Sequence, residues 1–125
     1  MTSVKDLMAA ANAAVPKLSP AQAKEMIAGG NATILDVRDG TELQQSGKIK
    51  GAVHVARGLL EFRADPESPS YVAALQKDQP VLLYCGSGGR AALAGKTLRD
   101  MGYAKVFNVG GFKELADAGL ETEKG

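Results

Sequence analysis

Pro80-Val81-Leu82-Leu83-Tyr84-Cys85-Gly86-Ser87-Gly88-Gly89-Arg90 is the stretch on which the fold turns. Its first half is apolar almost throughout, the pattern of a short strand covered on both faces. Its second half places three glycines within four residues, which lets the backbone curl sharply. Residues 90–101 are then rich in helix formers, and Gly102 stands where the C′ residue of a helix belongs. Strand, glycine turn and helix follow one another without a linker.

The same alternation extends in both directions. Val4, Leu7, Met8 and Ala11 recur at helical spacing and mark one face of an amphipathic helix. Ser19 followed by Pro20 reads as an N-cap with proline in the first helical position, for a helix that runs to Ala28 and stops at Gly29-Gly30. Residues 32–37 (ATILDV) form a buried strand, 41–46 are helix-compatible, and 52–55 form a second short strand. Residues 58–62 make a helical turn, 65–69 a loop, and 71–76 a helix. After the central unit, 105–109 read as the last strand, Gly110-Gly111 as a tight turn, and 112–118 as the last helix. Strands alternating with helices predict a parallel α/β sheet, and ligands of such sheets sit beyond the carboxyl ends of the strands. Two polar clusters fall there, Asp36 to Asp39 and Cys85 to Arg90.

Composition narrows the function classes. The 125 residues suit one domain with one core, with 45% hydrophobic and 23% charged content near globular averages. Fifteen basic against fourteen acidic side chains are interspersed, and without a basic stripe a nucleic-acid footprint is not supported. The apolar runs are far short of a membrane span, and the N-terminus lacks the compact apolar stretch of a secretory signal. The expectation is a cytoplasmic protein without nucleic-acid or membrane partners. A single cysteine forms no internal disulfide, and with a single histidine it makes a poor metal site, so no metal is expected.

Cys85 is therefore either a buried core thiol or a reactive one. At the end of a strand and the start of a helix it faces unpaired N–H groups and the positive end of the helix dipole, both of which favour a thiolate. The backbone amides of Gly86, Ser87, Gly88, Gly89 and Arg90 can converge on one point to cradle an anion. Arg90 adds a positive charge and the Ser87 hydroxyl a further donor. The inert alternative is a tight turn over a buried sulfur, but glycines lower stability through chain entropy and need a reason such as approach to a ligand. His54, in the second short strand, is read as a satisfied structural histidine.

These residues resemble the rhodanese family. Cys85, Gly88 and Arg90 fit its C-x-x-G-x-R loop after an apolar strand ending in tyrosine. Ile34-Leu35-Asp36-Val37-Arg38 is similar to the family's L-D-V-R signature, and Glu42 with Gly47-Lys48-Ile49-Lys50-Gly51-Ala52 to its G-H-I-x-G-A stretch. Met101-Gly102-Tyr103 and Val109-Gly110-Gly111-Phe112 match its later motifs. The likeness spans residues 18–120. It implies a three-layer α/β domain over residues 18–125, with a central, mainly parallel sheet of about five strands flanked by helices. Residues 1–17 are then an N-terminal helical extension packed on that domain.

The resemblance also implies chemistry. Cys85 would take sulfane sulfur from a small anionic donor such as thiosulfate and pass it, as a persulfide, to cyanide or a thiol. The loop amides would hold the charged sulfur, and no cofactor is implied. Asp36 and Arg38 would brace neighbouring loops, and Arg57 would either face the pocket with a second positive charge or be a solvated loop arginine. Lys48 stands where the family usually has histidine, Ala56 where proline is common, and Gly86 where a basic residue often follows the cysteine. The last change removes one contact for an anionic donor.

Two other readings compete. Phosphatases and arsenate reductases also set a cysteine in an amide-lined loop with arginine, but their loop is longer and cradles a larger anion. The four residues between Cys85 and Arg90 fit a single sulfur better. A non-catalytic regulatory module or a sulfur carrier fed by a sulfur-relay protein is the other reading.

Overall fold

The computed structural model describes residues 2–125. Four strands build the main sheet: β1 (Thr33–Asp36), β3 (Val53–His54), β4 (Val81–Cys85) and β5 (Val106–Gly111). They lie in the order β3-β1-β4-β5, all parallel. The remaining pair, β2 (Lys48–Ile49) and β6 (Thr122–Glu123), forms a separate antiparallel ribbon. The main sheet thus has four strands where about five were expected. Its β5 edge carries only a rudiment of another strand, the single parallel bridge between Lys17 and Asn108.

The apolar run of β4 has its explanation in this order. Alternate side chains leave opposite faces of a strand, and both faces here are covered. Val81, Leu83 and Cys85 join one buried cluster with Val15, Leu98 and Tyr103. Leu82 and Tyr84 join the other with Ala23, Ile49 and Leu115. Helices α1 (Val4–Ala14), α4 (Leu60–Ala64) and α5 (Gly89–Asp100) cover the Cys85 face. Helices α2 (Pro20–Ala28) and α6 (Phe112–Asp117) cover the opposite one, and α3 (Gly40–Ser46) follows β1.

Local chemistry sets the helix limits. Ser3 and Ser19 each accept the N3 backbone N–H at 3.1 Å, and Asp6 and Gln22 return the bond to the cap. Gly95 sits in mid-α5 because Val15 presses on it; a Cβ there would lie 2.9 Å from Val15 Cγ1. The contact seats the end of α1 on α5, where Ala11 and Val15 are buried. Val4 and Leu7, on the same stripe, stay exposed.

Two expectations are corrected. Residues 71–76 are not a helix but successive turns, closed by bonds such as Leu75 N–H to the Val72 carbonyl at 3.0 Å. The hydroxyls of Tyr71 and Tyr103 both donate to the Leu75 carbonyl, and Tyr103 also bonds Ala64 at 2.7 Å, which pins the segment on α4. Gly110 and Gly111 belong to β5 rather than to a turn. The register slips there, with Leu83 opposite Asn108 but Cys85 opposite Gly111, and Gly110 takes φ +94° as the extra residue. No helix among the described residues is long and apolar enough to cross a membrane.

Candidate active site

Cys85 is the last residue of β4, and α5 begins only four positions later. The chain reverses through Gly88, whose φ of +102° is a conformation that other residues adopt only with strain. The reversal brings the Gly88 N–H to 2.9 Å from Cys85 Sγ and the Ala91 N–H to 3.4 Å. Cys85 is 1% exposed, as an inert core thiol would be, yet two main-chain donors are aimed at its sulfur. Gly89 and Arg90 lie in the first turn of α5, where amides have no intrahelical partner. The converging amides and the α5 dipole favour negative charge at this point. Gly86 and Ser87 form the exposed crest of the loop.

A second layer fixes the loop. Asn108, buried on β5, donates from Nδ2 to the Gly88 carbonyl at 3.0 Å and accepts the Gly110 N–H at 2.9 Å. Its own backbone N–H bonds Pro16, and its carbonyl takes the Leu18 N–H, so the chain between α1 and α2 is tied to the same residue. Gly111 leaves room for the crest, because a Cβ there would run into the Gly86 carbonyl. A cavity of about 370 Å³ opens on this flank, lined by Ser87, Gly88 and Gly89 with Met8, Asn12 and Lys17. Another of about 310 Å³ lies on the Gly86 flank, beside Glu42, Phe112 and Lys113.

The arginines divide into different roles. Arg90 does reach the loop, but its guanidinium is gripped by Glu42, Nη1 to Oε1 at 2.6 Å and Nη2 to Oε2 at 3.0 Å. Glu42 stands at N3 of α3 and its Oε1 also accepts the Asp39 N–H at 3.2 Å. Arg38 is buried and forks onto buried Asp36, with Nη2 to Oδ2 at 2.8 Å and Nε to Oδ1 at 3.1 Å. It also holds Ser46 Oγ and the Gly47 carbonyl, and it stacks over Phe112 at 4.4 Å. Asp36 and Arg38 thereby brace the end of β1 against α3 and α6. Arg57 is not brought to the sulfur. Its guanidinium bonds Glu61 at 3.1 Å and Thr97 at 2.9 Å, and Thr97 lies two turns down α5, about 12 Å from its start. His54 is satisfied by the Arg38 carbonyl at 2.6 Å.

Sequence reasoning missed Ala91, Asn108 and Glu42 as parts of the site. A signal existed for Ala91, since the third amide of a helix also points at whatever the N-terminus caps. Glu42 is singled out only within a family-like stretch, and no local pattern announces that it meets Arg90 across a separation of 48 residues.

The Glu42–Arg90 pair gives the site a measurable pH dependence. Hydrogen bonds from Arg90, aided by the Asp39 N–H and the charge of Arg38, hold the Glu42 carboxyl down to about 2 against the opposing effect of burial. A depressed carboxylate contributes stability above its unfolded value near 4.5, and loses it as pH falls towards about 2. Both side chains are about a third exposed (38% and 32%), so solvent screening limits the contribution to about 1 kcal/mol. Urea unfolding of wild type and Glu42→Gln should therefore differ by that amount at neutral pH and converge as pH falls below 4. An unchanging difference across that range would exclude the pair as its source.

A family model described as the rhodanese-like domain matches residues 19–118. The thiosulfate sulfurtransferase GlpE of Actinobacillus succinogenes is 31% identical over 112 residues, covering 88% of this chain and 92% of that protein. The Bacillus subtilis protein YrkF, named as a candidate sulfur carrier, is 30% identical over 96 residues, covering 76% of this chain; the chain spans about half (47%) of that relative's length. Among solved structures, a Rhodopseudomonas palustris protein of unknown function, described as a possible tyrosine phosphatase, superposes with a TM-score of 0.90. It is 37% identical, and the match covers 98% of this chain and 96% of that one.

Proposed function

The chain belongs to the rhodanese family, and from that premise we propose that it moves sulfane sulfur through a persulfide on Cys85. The observation that carries the reading is the convergence of the Gly88 and Ala91 N–H groups on Cys85 Sγ. In the first step the Cys85 thiolate attacks the outer sulfur of a donor, for which thiosulfate serves in assay. The Cys85 sulfur gains a bond to that sulfur, the donor S–S bond breaks, and sulfite leaves with the electron pair. In the second step cyanide, or a thiol, attacks the outer sulfur and the Cys85 thiolate departs. Donors fixed before the reaction stabilise charge without reorganising. His54 is committed to the Arg38 carbonyl and is given no part in either step.

The phosphatase reading draws on the description of the Rhodopseudomonas palustris neighbour. The short loop argues against it, because its inner donors already close on one sulfur atom and Arg90 is held by Glu42. A sulfur-carrier role, with a relay protein as donor, uses the same persulfide and differs only in the partner. Parallel assays separate the chemistries: thiosulfate with cyanide should yield thiocyanate, while an aryl phosphate should release no phosphate. Phosphate release without thiocyanate would replace this reading with the phosphatase one.

A further inference from the structure

We infer that the preferred donor is a persulfide, R–S–SH, rather than a sulfur oxyanion such as thiosulfate, and that Glu42 sets this preference by neutralising Arg90. The inference rests on the sulfurtransferase reading above and concerns which donor that site takes.

Thiosulfate brings two negative charges to a nucleophile that is itself anionic, and sulfite carries both away. Against that the loop sets two N–H groups and a helix N-terminus equivalent to about half a positive charge. The group suited to an oxyanion is a guanidinium, which binds such anions through paired N–H donors. Arg90 points two of its five N–H donors, one from each outer nitrogen, at Glu42, whose carboxylate also offsets its charge. Glu42 is held in turn by the Asp39 N–H at its helix start, so the pair is built into α3 rather than being a chance surface contact.

The other cations do not make up the difference. Arg38 is committed to Asp36, and Arg57 to Glu61 and Thr97. Gly86 removes the side chain that would extend from the crest, and a Cβ there would approach Arg90 Nη2 to 3.1 Å, so a larger residue would need the guanidinium to give by a few tenths of an ångström. Lys17 and Lys113 line the flanking cavities but are exposed, where water and salt screen their charge. Among the described residues, every arginine at the carboxyl ends of β1, β3 and β4 is paired with a carboxylate.

A persulfide donor suits this arrangement. The Cys85 thiolate attacks its terminal sulfur, the donor's S–S bond breaks, and the electron pair leaves on R–S⁻, which takes a proton from solvent. The enzyme keeps the terminal sulfur as Cys85–S–SH. No oxidant or reductant is consumed, and no doubly charged group has to be bound.

The test compares steady-state sulfur transfer to cyanide from glutathione persulfide and from thiosulfate, with the uncatalysed rates subtracted, in the full chain. Wild type should favour the persulfide in kcat/KM by about tenfold or more. Glu42→Gln, which releases Arg90, should move the thiosulfate-to-persulfide ratio of kcat/KM towards thiosulfate by about fivefold, chiefly through KM. Equal or better use of thiosulfate by wild type overturns the inference, and so does a parallel loss with both donors in the variant. Should Glu42→Gln fail to fold, the wild-type ratio decides alone. If neither donor loads Cys85, the sulfurtransferase reading falls and this inference with it.

Discussion

Cys85→Ser is expected to lower thiosulfate-to-cyanide turnover by about 10⁴-fold or more, the scale seen when an enzyme loses its nucleophile. The change is close to isosteric, and the Gly88 and Ala91 N–H groups that now bond the sulfur can bond a hydroxyl in its place. The fold should therefore survive, and circular dichroism and thermal melting should match wild type. What the variant lacks is an atom that can carry sulfane sulfur, because an alkoxide is scarce at neutral pH and a hydroxyl forms no persulfide. The loss should appear in both half-reactions, donor consumption and thiocyanate release. Turnover within tenfold of wild type would place the chemistry elsewhere.

Asp36→Ala should produce the largest loss of stability. Its carboxylate is fully buried and is the only anionic partner of the buried Arg38 guanidinium among the described residues. Removing it leaves that charge enclosed by the rings of Tyr84 and Phe112, with only Ser46 and the Gly47 carbonyl to compensate. Breaking a buried pair from one side costs about 3–5 kcal/mol. Urea unfolding should register a loss of that size, whereas replacing both partners by apolar residues of similar volume should recover much of it. A loss below about 1 kcal/mol would mean that water reaches Arg38 in solution and that the brace between β1 and α3 is weaker than its geometry implies.

The parts of this molecule that could be read directly from the chain are those governed by neighbouring residues. The β4 run, the glycine reversal and the start of α5 were legible because apolar pattern, chain entropy and capping act over a few positions. The Ser19-Pro20 helix start was legible for the same reason. Features set by distant contacts were not. Glu42 reads as an ordinary first-turn carboxylate until α3 and α5 are packed side by side and it meets Arg90. Asn108 reads as one polar residue in a strand until the β5 register brings it under Gly88. Arg57 has no local feature that selects Thr97 over the pocket. Segment 71–76 carries helix-compatible residues, but two tyrosine hydroxyls claim the carbonyl of Leu75 and turns replace the helix. The ribbon of β2 and β6 depends on the C-terminal residues returning to Lys48, a pairing that no local pattern announces.

The most direct measurement is the intact mass of the protein after brief exposure to a sulfane-sulfur donor and rapid desalting. The account predicts a gain of one sulfur atom, assigned by peptide mapping to Cys85 and discharged on adding cyanide. No gain from either thiosulfate or glutathione persulfide, or an adduct that cyanide fails to remove, would contradict it.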